Sequence, residues 1–501
     1  MTARLRLTKE HVGQFADASG DRNPLHLDEL FARQTPYGRC IVHGALVTIA
    51  ALGRADPDAL RHAQRIDVQF KEPVFPGEAY AVACVETDEQ RTRVEVTRAG
   101  RLVATLAVTF DRGIPPLPRP TEGPEVPSSS PRSYGIEDLR ESAVSLSVPY
   151  GCRLELLVSL AAELGAGDVP PGLLAWLSAA SYVVGMLVPG RDAIFVAAQI
   201  ARSSGDAAGT LSASVLTADD RTGLVVVDAA LAQDGASARM TLNAFVRPAT
   251  PVPDRSTIGR HIAPSSKLAG RHVLVVGASR GLGAAISGAF AMQAATVWAA
   301  FAESRERADQ LSREFGTDRI RLLQFDASDI EESRRALDRV RAEAGELAGV
   351  VLCAAPPLFE TALHPDSLPA MLQYINASTA MTLVPLAEAF QLLSPDATII
   401  LTSSSALDEV PEGWPHYVVA KAALEGAAAY CARHAAARVL VARPPRMWTD
   451  TTNTPLGRIG AVPVEQVAAA IVSRIAAGGT PPGLTVLTAE QLVEPSTGAA
   501  R

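Results

Sequence analysis

Lysine is nearly missing from this chain. Of its 46 basic residues only Lys9, Lys71, Lys267 and Lys421 are lysine, and the net charge is −8. A scattered arginine complement under a negative balance excludes nucleic acid or an anionic membrane as a general partner. The cysteines are few and solitary: Cys40, Cys84, Cys152, Cys353 and Cys431. No C-x-x-C pair or Cys/His cluster is present to hold zinc, and the five read as reduced thiols of a cytoplasmic protein. No uninterrupted apolar run approaches the ~20 residues that span a bilayer, and the opening MTARLRLTKEHVGQF lacks the apolar core of a signal peptide. Histidine is absent between His62 and His261, which removes imidazole chemistry from the middle of the chain. What remains is 501 residues, 48% hydrophobic, enough for roughly two to four domains with sizeable cores.

One stretch concentrates proton-transfer groups. Phe15–Leu46 carries Asp21 and His26 around an Asn23-Pro24 turn, then a His43-Gly44 pair. Pro24 fixes its own φ and pushes Asn23 out of the α region, so the turn is rigid. An acid and a base on one pinned turn suit a reaction that moves a proton and a hydroxyl together. The whole pattern, S-G-D-x-N-P-x-H followed by H-G, resembles the active-site segment of the MaoC-like, (R)-specific enoyl-thioester hydratases of hot-dog fold. The resemblance covers about residues 8–112. It implies that Asp21 and His26 act on Cα–H and Cβ–OH of a 3-hydroxyacyl thioester, with Asn23 in support. It also implies that Gly44 opens the central helix and polarises the thioester carbonyl, with His43 beside it.

The pattern around this stretch fits a hot dog. An apolar helix over Ala45–Leu52 precedes alternating runs at Gln64–Val74, Ala79–Thr87, Arg91–Arg98 and Leu102–Phe110, with turns at Pro76-Gly77 and Ala99-Gly100. Seven prolines between Pro115 and Pro131, with a Ser128–Ser130 run, predict a semi-stiff linker over 113–135. Residues 136–247 repeat the order of one helix (Leu173–Val188) and four strands (Ala193–Ala201, Gly209–Thr217, Gly223–Gln233, Ala236–Val246), and Gly205-Asp206 parallels Gly77-Glu78. This predicts a double hot dog whose second, histidine-free copy covers the first copy's sheet edge and walls an acyl pocket, or only packs on it.

A second Pro-rich stretch, 248–267, leads to a change of rhythm. From Arg271–Gly277 strands and helices alternate over 268–490, before a tail at 491–501, which predicts an α/β Rossmann-type, doubly wound parallel sheet. Gly277-Ala-Ser279-Arg280-Gly281-Leu282-Gly283 closes the first strand and opens a helix, where backbone N–H groups bind a pyrophosphate. Tyr417 and Lys421 share a helix face, and a nearby ammonium stabilises a tyrosinate. With eight tyrosines and four lysines in the chain, that spacing is rare by chance. Here the chain resembles the short-chain dehydrogenase/reductase family. The resemblance implies that Tyr417 exchanges a proton with the carbonyl or hydroxyl oxygen and Ser404 holds that oxygen. It further implies that Lys421 lowers the Tyr417 pKa and holds the nicotinamide ribose, that Asn376 keeps a relay water, and that Asp326-Ala327 contact adenine. Two landmarks differ: Cys353-Ala354-Ala355-Pro356 stands for Asn-Asn-Ala-Gly, and Pro444-Pro445 for Pro-Gly. The second strand ends without an Asp for a ribose 2′-OH, whereas Arg280 and Arg305 suit the 2′-phosphate of NADPH.

The two resemblances name adjacent steps. They predict a bifunctional 3-oxoacyl-thioester reductase and (R)-3-hydroxyacyl dehydratase of fatty-acid or polyketide type. Its substrate would be carried on CoA or acyl carrier protein, and it would form a homodimer through the reductase domain. The alternatives are enoyl-CoA hydration followed by NAD-linked oxidation, and an acyl-binding scaffold with an inert reductase half.

Overall fold

Strict alternation of buried and outward-facing residues builds the first half. Ten strands follow one another: β1 (Ala3–Arg6), β2 (Ala63–Phe70), β3 (Ala79–Thr87), β4 (Arg91–Arg98), β5 (Arg101–Phe110), β6 (Ser145–Pro149), β7 (Ala193–Arg202), β8 (Thr210–Asp219), β9 (Leu224–Ala232) and β10 (Ala238–Val246). They form one antiparallel sheet in the order β1-β3-β4-β5-β2-β7-β10-β9-β8-β6. The order is the same outward from the middle in both directions, so each half is one hot-dog copy. The copies join where β2 pairs with β7, with Ile66 opposite Ile200 and Val68 opposite Ala198. Each copy has a fifth, short strand, β1 or β6, at the outer edge, beyond the four expected. Ala99 and Gly100, both at positive φ, make the two-residue turn between β4 and β5, as that hairpin requires.

The computed structural model describes residues 3–121, 124, 130–141, 143–204, 209–434, 438–454, 457–478 and 481–493, which pack as two compact units, 1–249 and 250–501. In the first unit the sheet wraps two helices that pack on each other, Gly44–Leu52 and Pro171–Tyr182. Every residue from Ala45 to Leu52 and from Gly172 to Tyr182 is buried. The second helix does not run regularly to Val188. It widens into a π turn over Val183–Leu187, a form that often marks functional sites.

The Pro-rich stretch after β5 is less a spacer than a strap. Leu117 N–H bonds to the Arg61 carbonyl, Thr121 N–H to that of Asp234, and Arg132 N–H to that of Met186. The stretch crosses from one copy to the other while tied to both. The Gly205-Asp206 turn, most of 122–129 and the end of the tail lie outside the described residues.

Residues 250–267, expected as linker, belong to the second unit. A short helix, Arg255–Gly259, starts at a capping box between Asp254 and Thr257. It buries Ile258, and the Arg255 guanidinium bonds to the carbonyls of Glu314 and Phe315. Beyond it come β11 (His272–Val276), β12 (Thr296–Phe301), β13 (Ile320–Gln324), β14 (Leu347–Leu352), β15 (Leu393–Thr402), β16 (Arg438–Ala442) and β17 (Gly483–Leu487). All pair in parallel, in the order β13-β12-β11-β14-β15-β16-β17. The order reverses between β11 and β14, the point where such sheets open a crevice for a ligand. Apolar clusters cover both faces, which explains the unbroken valine-rich reading of β11 and β14. Among the described residues no helix is long and apolar enough to cross a membrane.

Candidate functional site

The first site is built where the two hot-dog copies meet. The helix Lys9–Ser19 stops at Gly20, whose φ of +77° reverses the chain into Asp21. Asn23 then caps the short helix Pro24–Leu27, its side-chain oxygen accepting from Leu25 N–H at 3.0 Å. The other end of the Asn23 amide donates to the carbonyls of Gly185 and Gly190 in the second copy, at 2.9 and 3.1 Å. Asn23 therefore staples the turn across the seam. Asp21 is buried, and its carboxylate accepts from Asn23 N–H at 3.2 Å and from the Ser181 hydroxyl at 2.6 Å. The space beside it admits only glycine at 185: a Cβ there would fall 2.3 Å from Asp21 Oδ1.

His26 and His43 complete the cluster. One polar side-chain atom from each of Asp21, His26 and His43 lies within 4.8 Å of the others. His26 Nδ1 lies 2.9 Å from the Ile41 carbonyl and must donate to it, which leaves Nε2 as a bare lone pair. His43 Nε2 donates to the Asp21 main-chain carbonyl at 3.0 Å. The two rings stack with centroids 3.7 Å apart and planes at 29°. Burial sets the protonation of all three. It lifts the Asp21 carboxyl above the usual carboxylate range, and it lowers His26 and, more strongly, His43 below the usual imidazole range. The His26–Asp21 attraction opposes both of the first two shifts in part. Gly44, half-exposed beside this cluster, begins its helix with no side-chain cap on the first turn. The Phe70 ring would stand 2.6 Å from a Cβ there, so any larger residue would have to displace it.

The second site lies at the switch point of the parallel sheet. Gly277 has φ +86°, and a Cβ on it would meet Ala354 N at 2.7 Å, so the loop and the Cys353-Ala354 segment pack backbone to backbone. A Cβ on Gly283 would fall 2.1 Å from the Gly277 carbonyl. Ser279 and Arg280 lead into the helix Gly281–Met292, and Leu282 packs inward. Gly281 stands at its first position, and Arg280, the cap residue, gives the helix no side-chain cap. Lys421 Nζ donates to the Thr402 carbonyl at 2.8 Å and lies 5.5 Å from the centre of the Tyr417 ring. Ser404 Oγ accepts from Ala406 N–H at 3.1 Å at the end of the same strand, whereas Ser403 turns to Glu425 at 2.6 Å. Cys353 Sγ lies 3.0 Å from the Thr402 hydroxyl, and burial pushes its thiol up to about 11.

Three expected contributors sit differently. Arg305 is exposed and pairs with Asp309 one turn along its own helix, at 3.0 Å. Arg307 is the arginine that meets Arg280, both on the Asp450 carboxylate at 3.2 and 3.1 Å. A charge at helix position i reaches i+4, so the acid at 309 captures the guanidinium at 305. Asn376 is exposed on the helix Leu368–Phe390 and makes no side-chain hydrogen bond among the described residues. The Asp326 carboxylate is engaged in its own turn by Ser328 N–H and hydroxyl, and Ala327 is buried.

Comparison with known proteins follows this geometry. Residues 2–107 match the MaoC like domain and residues 271–455 the short chain dehydrogenase family. An (R)-specific enoyl-CoA hydratase of Aeromonas caviae is 38% identical over 112 residues, which cover 21% of this chain and 76% of that protein. The chain joins a MaoC-like domain to a short-chain dehydrogenase domain. A 3-hydroxybutyryl-CoA dehydratase of Methylorubrum extorquens is 36% identical over 107 residues, 20% of this chain and 64% of the relative. A 3-hydroxyacyl-thioester dehydratase Y of Mycobacterium tuberculosis is 35% identical over 112 residues, 21% of this chain and 38% of the relative. The chain thus spans less than two thirds of either of these two. A dehydrogenase/reductase structure from Sinorhizobium meliloti is 23% identical, covering 45% of this chain and 97% of that one at a TM-score of 0.41.

Around the MaoC-like motif the residues not anticipated are Ser181 and Gly185, both from the copy without histidine. Their one signal is local: a second serine, after Ser178, and a glycine inside an otherwise largely apolar helix, just before Pro189. In the short-chain dehydrogenase domain His416 was likewise passed over. It precedes Tyr417, is fully buried between Phe359 (centroids 4.4 Å) and Tyr374 (4.6 Å), and neither ring nitrogen finds a partner among the described residues. Burial holds it down at about 4, hence neutral.

Proposed function

We propose that this chain reduces a 3-oxoacyl thioester and dehydrates the resulting (R)-3-hydroxyacyl thioester, with Asp21 and His26 as the acid–base pair of the second step. The observation that carries this reading is the buried pair itself. An acid whose pKa burial raises stands within reach of a base whose pKa burial lowers, the arrangement of a proton donor beside a proton acceptor. In the dehydration direction His26 Nε2 removes the Cα proton, and the Asp21 carboxyl hands its proton to the departing hydroxyl, which leaves as water. Hydration runs the same transfers in reverse. The thioester carbonyl lies against Gly44 N–H, where the uncapped helix end meets the negative charge that builds on oxygen. Asn23, Ser181 and Gly185 hold Asp21 in place.

For the redox step the glycine-rich loop supports a nicotinamide dinucleotide, since Gly277 and Gly283 leave room for backbone only. When bound, that cofactor would supply the hydride to the 3-oxo carbon. Tyr417 gives its phenolic proton to the carbonyl oxygen, Ser404 orients that oxygen, and Lys421, anchored by the Thr402 carbonyl beside the Tyr417 ring, holds the ribose. Arg280 favours NADPH over NADH. We also propose a cytoplasmic homodimer through the helices Leu368–Phe390 and Pro415–His434, which pack together and leave Leu372, Leu383, Val419 and Tyr430 exposed. The test is incubation with acetoacetyl thioesters on CoA and on acyl carrier protein with NADPH, read by mass spectrometry of the acyl group. Reduced and dehydrated products are expected. Nucleotide binding without turnover on either carrier would refute the redox half.

A further inference from the structure

One acidic side chain at the nucleotide site has no part in the chemistry above. Asp450 opens a single 3-10 turn, Asp450–Thr452, in the segment after β16. That segment returns to the glycine-rich loop, with the Thr449 methyl 3.7 Å from where a Cβ of Gly281 would stand. The Asp450 side chain is buried, and its Oδ2 accepts from both Arg280, at the cap of the helix Gly281–Met292, and Arg307, on the first turn of the helix Arg305–Phe315. Among the described residues its Oδ1 has no partner, nor do the buried Nε1 of Trp448 and Nε of Arg458 in the same segment. A buried carboxylate oxygen without a partner is uncommon in native proteins, and Asp450 is held through its other oxygen alone.

Two guanidiniums converging on one carboxylate present the donor geometry that also fits a phosphate. We propose that Asp450 is an internal stand-in for the 2′-phosphate of NADPH. It neutralises Arg280 and Arg307, gives way when that phosphate binds, and so sets the discrimination between NADPH and NADH. The inference rests on the nicotinamide-nucleotide reading of this site. With Asp450 in place an incoming 2′-phosphate meets a like charge; with that charge removed it meets the guanidiniums without this repulsion. An unphosphorylated ribose makes neither contact.

The test is calorimetric titration of the full chain with 2′,5′-ADP and with 5′-AMP, wild type against Asp450→Asn. The variant should bind 2′,5′-ADP at least about tenfold more tightly while 5′-AMP stays within about twofold, the scale of one charge-assisted contact. Adding Arg307→Ala should remove the gain. In the wild type, 2′,5′-ADP but not 5′-AMP should change the fluorescence of Trp448, two residues from Asp450, and Trp448→Phe should abolish that change. If Asp450→Asn leaves 2′,5′-ADP binding unmoved while 5′-AMP still binds, the stand-in role is overturned and the nucleotide reading survives. If neither ligand, nor NADPH, binds any form, both fail.

Discussion

Ser181→Ala tests whether the histidine-free copy sets up the reaction. The Ser181 hydroxyl donates to Asp21 at 2.6 Å in a buried site. A hydrogen bond to a charged group contributes ~1.5–3 kcal/mol. That bond favours the charged carboxylate, so its loss raises the Asp21 carboxyl further beyond the lift from burial. On the proposed assignment Asp21 carries the proton in the one-proton form of the pair. The alkaline limb of the pH–rate profile therefore belongs to Asp21 and moves up, while the acid limb, where His26 takes a second proton, stays. Only Asn23 N–H, at 3.2 Å, then holds the carboxylate, and each ~1.36 kcal/mol lost from the transition state slows the plateau about tenfold. The assay is hydration of a supplied enoyl thioester, followed by loss of its conjugated absorbance across pH, which bypasses the reductase. A profile superimposable on the wild type refutes the positioning role. A shift of the acid limb instead would place the proton on His26 and exchange the two assignments.

The other predictions separate the parts. Tyr417→Phe should abolish NADPH oxidation and spare enoyl hydration, whereas Asp21→Asn should spare reduction and slow dehydration by ~10²–10⁴, so that 3-hydroxyacyl thioester accumulates in the mass spectrum. Residues 1–112 alone should neither fold nor hydrate, because β2 loses its pairing with β7 and Asp21 loses Ser181; a stable, active fragment would overturn the role of the second copy. His26 and His43 are depressed in the folded state, so the stability they confer is present above about pH 6.5 and is lost as pH falls toward their folded values. Calorimetric melting of the full chain should therefore decline on acidification, less so in His43→Phe. Arg305→Ala should leave NADPH affinity within about twofold, since its exposed partner is Asp309 and such pairs contribute ~0.3–0.5 kcal/mol; a large loss would return Arg305 to the phosphate.

Legibility in the sequence followed the range of the interaction. β9 and β10 alternate buried and partly exposed residues along their length, and their bounds were readable to within a few residues. β1 and β6 are four and five residues at sheet edges, too short for alternation to show. Asp21, Asn23, His26, His43 and Gly44 were legible because one pinned turn and one helix start bring them together. Ser181 was not, because its partner lies 160 positions away and its own neighbourhood reads only as core. Arg305 and Arg307 stand on one helical turn. Pattern alone gives each the same claim on a phosphate, and only the places of Asp309 and Asp450 separate them. The Pro-rich stretch read as a spacer because composition reports stiffness and not attachment.

The seam between β2 and β7 has a consequence for how such a site can change. In a pair of identical subunits every position is occupied twice, so a glycine needed to clear one aspartate must also be a glycine in the other copy. Covalent joining lifts that requirement. Gly185 and Ser181 serve a single carboxylate, and no matching pair is required of the first helix. The second copy, relieved of an acid–base pair of its own, is free to become a fitted mould for the first, at the expense of one reaction centre for every two folds.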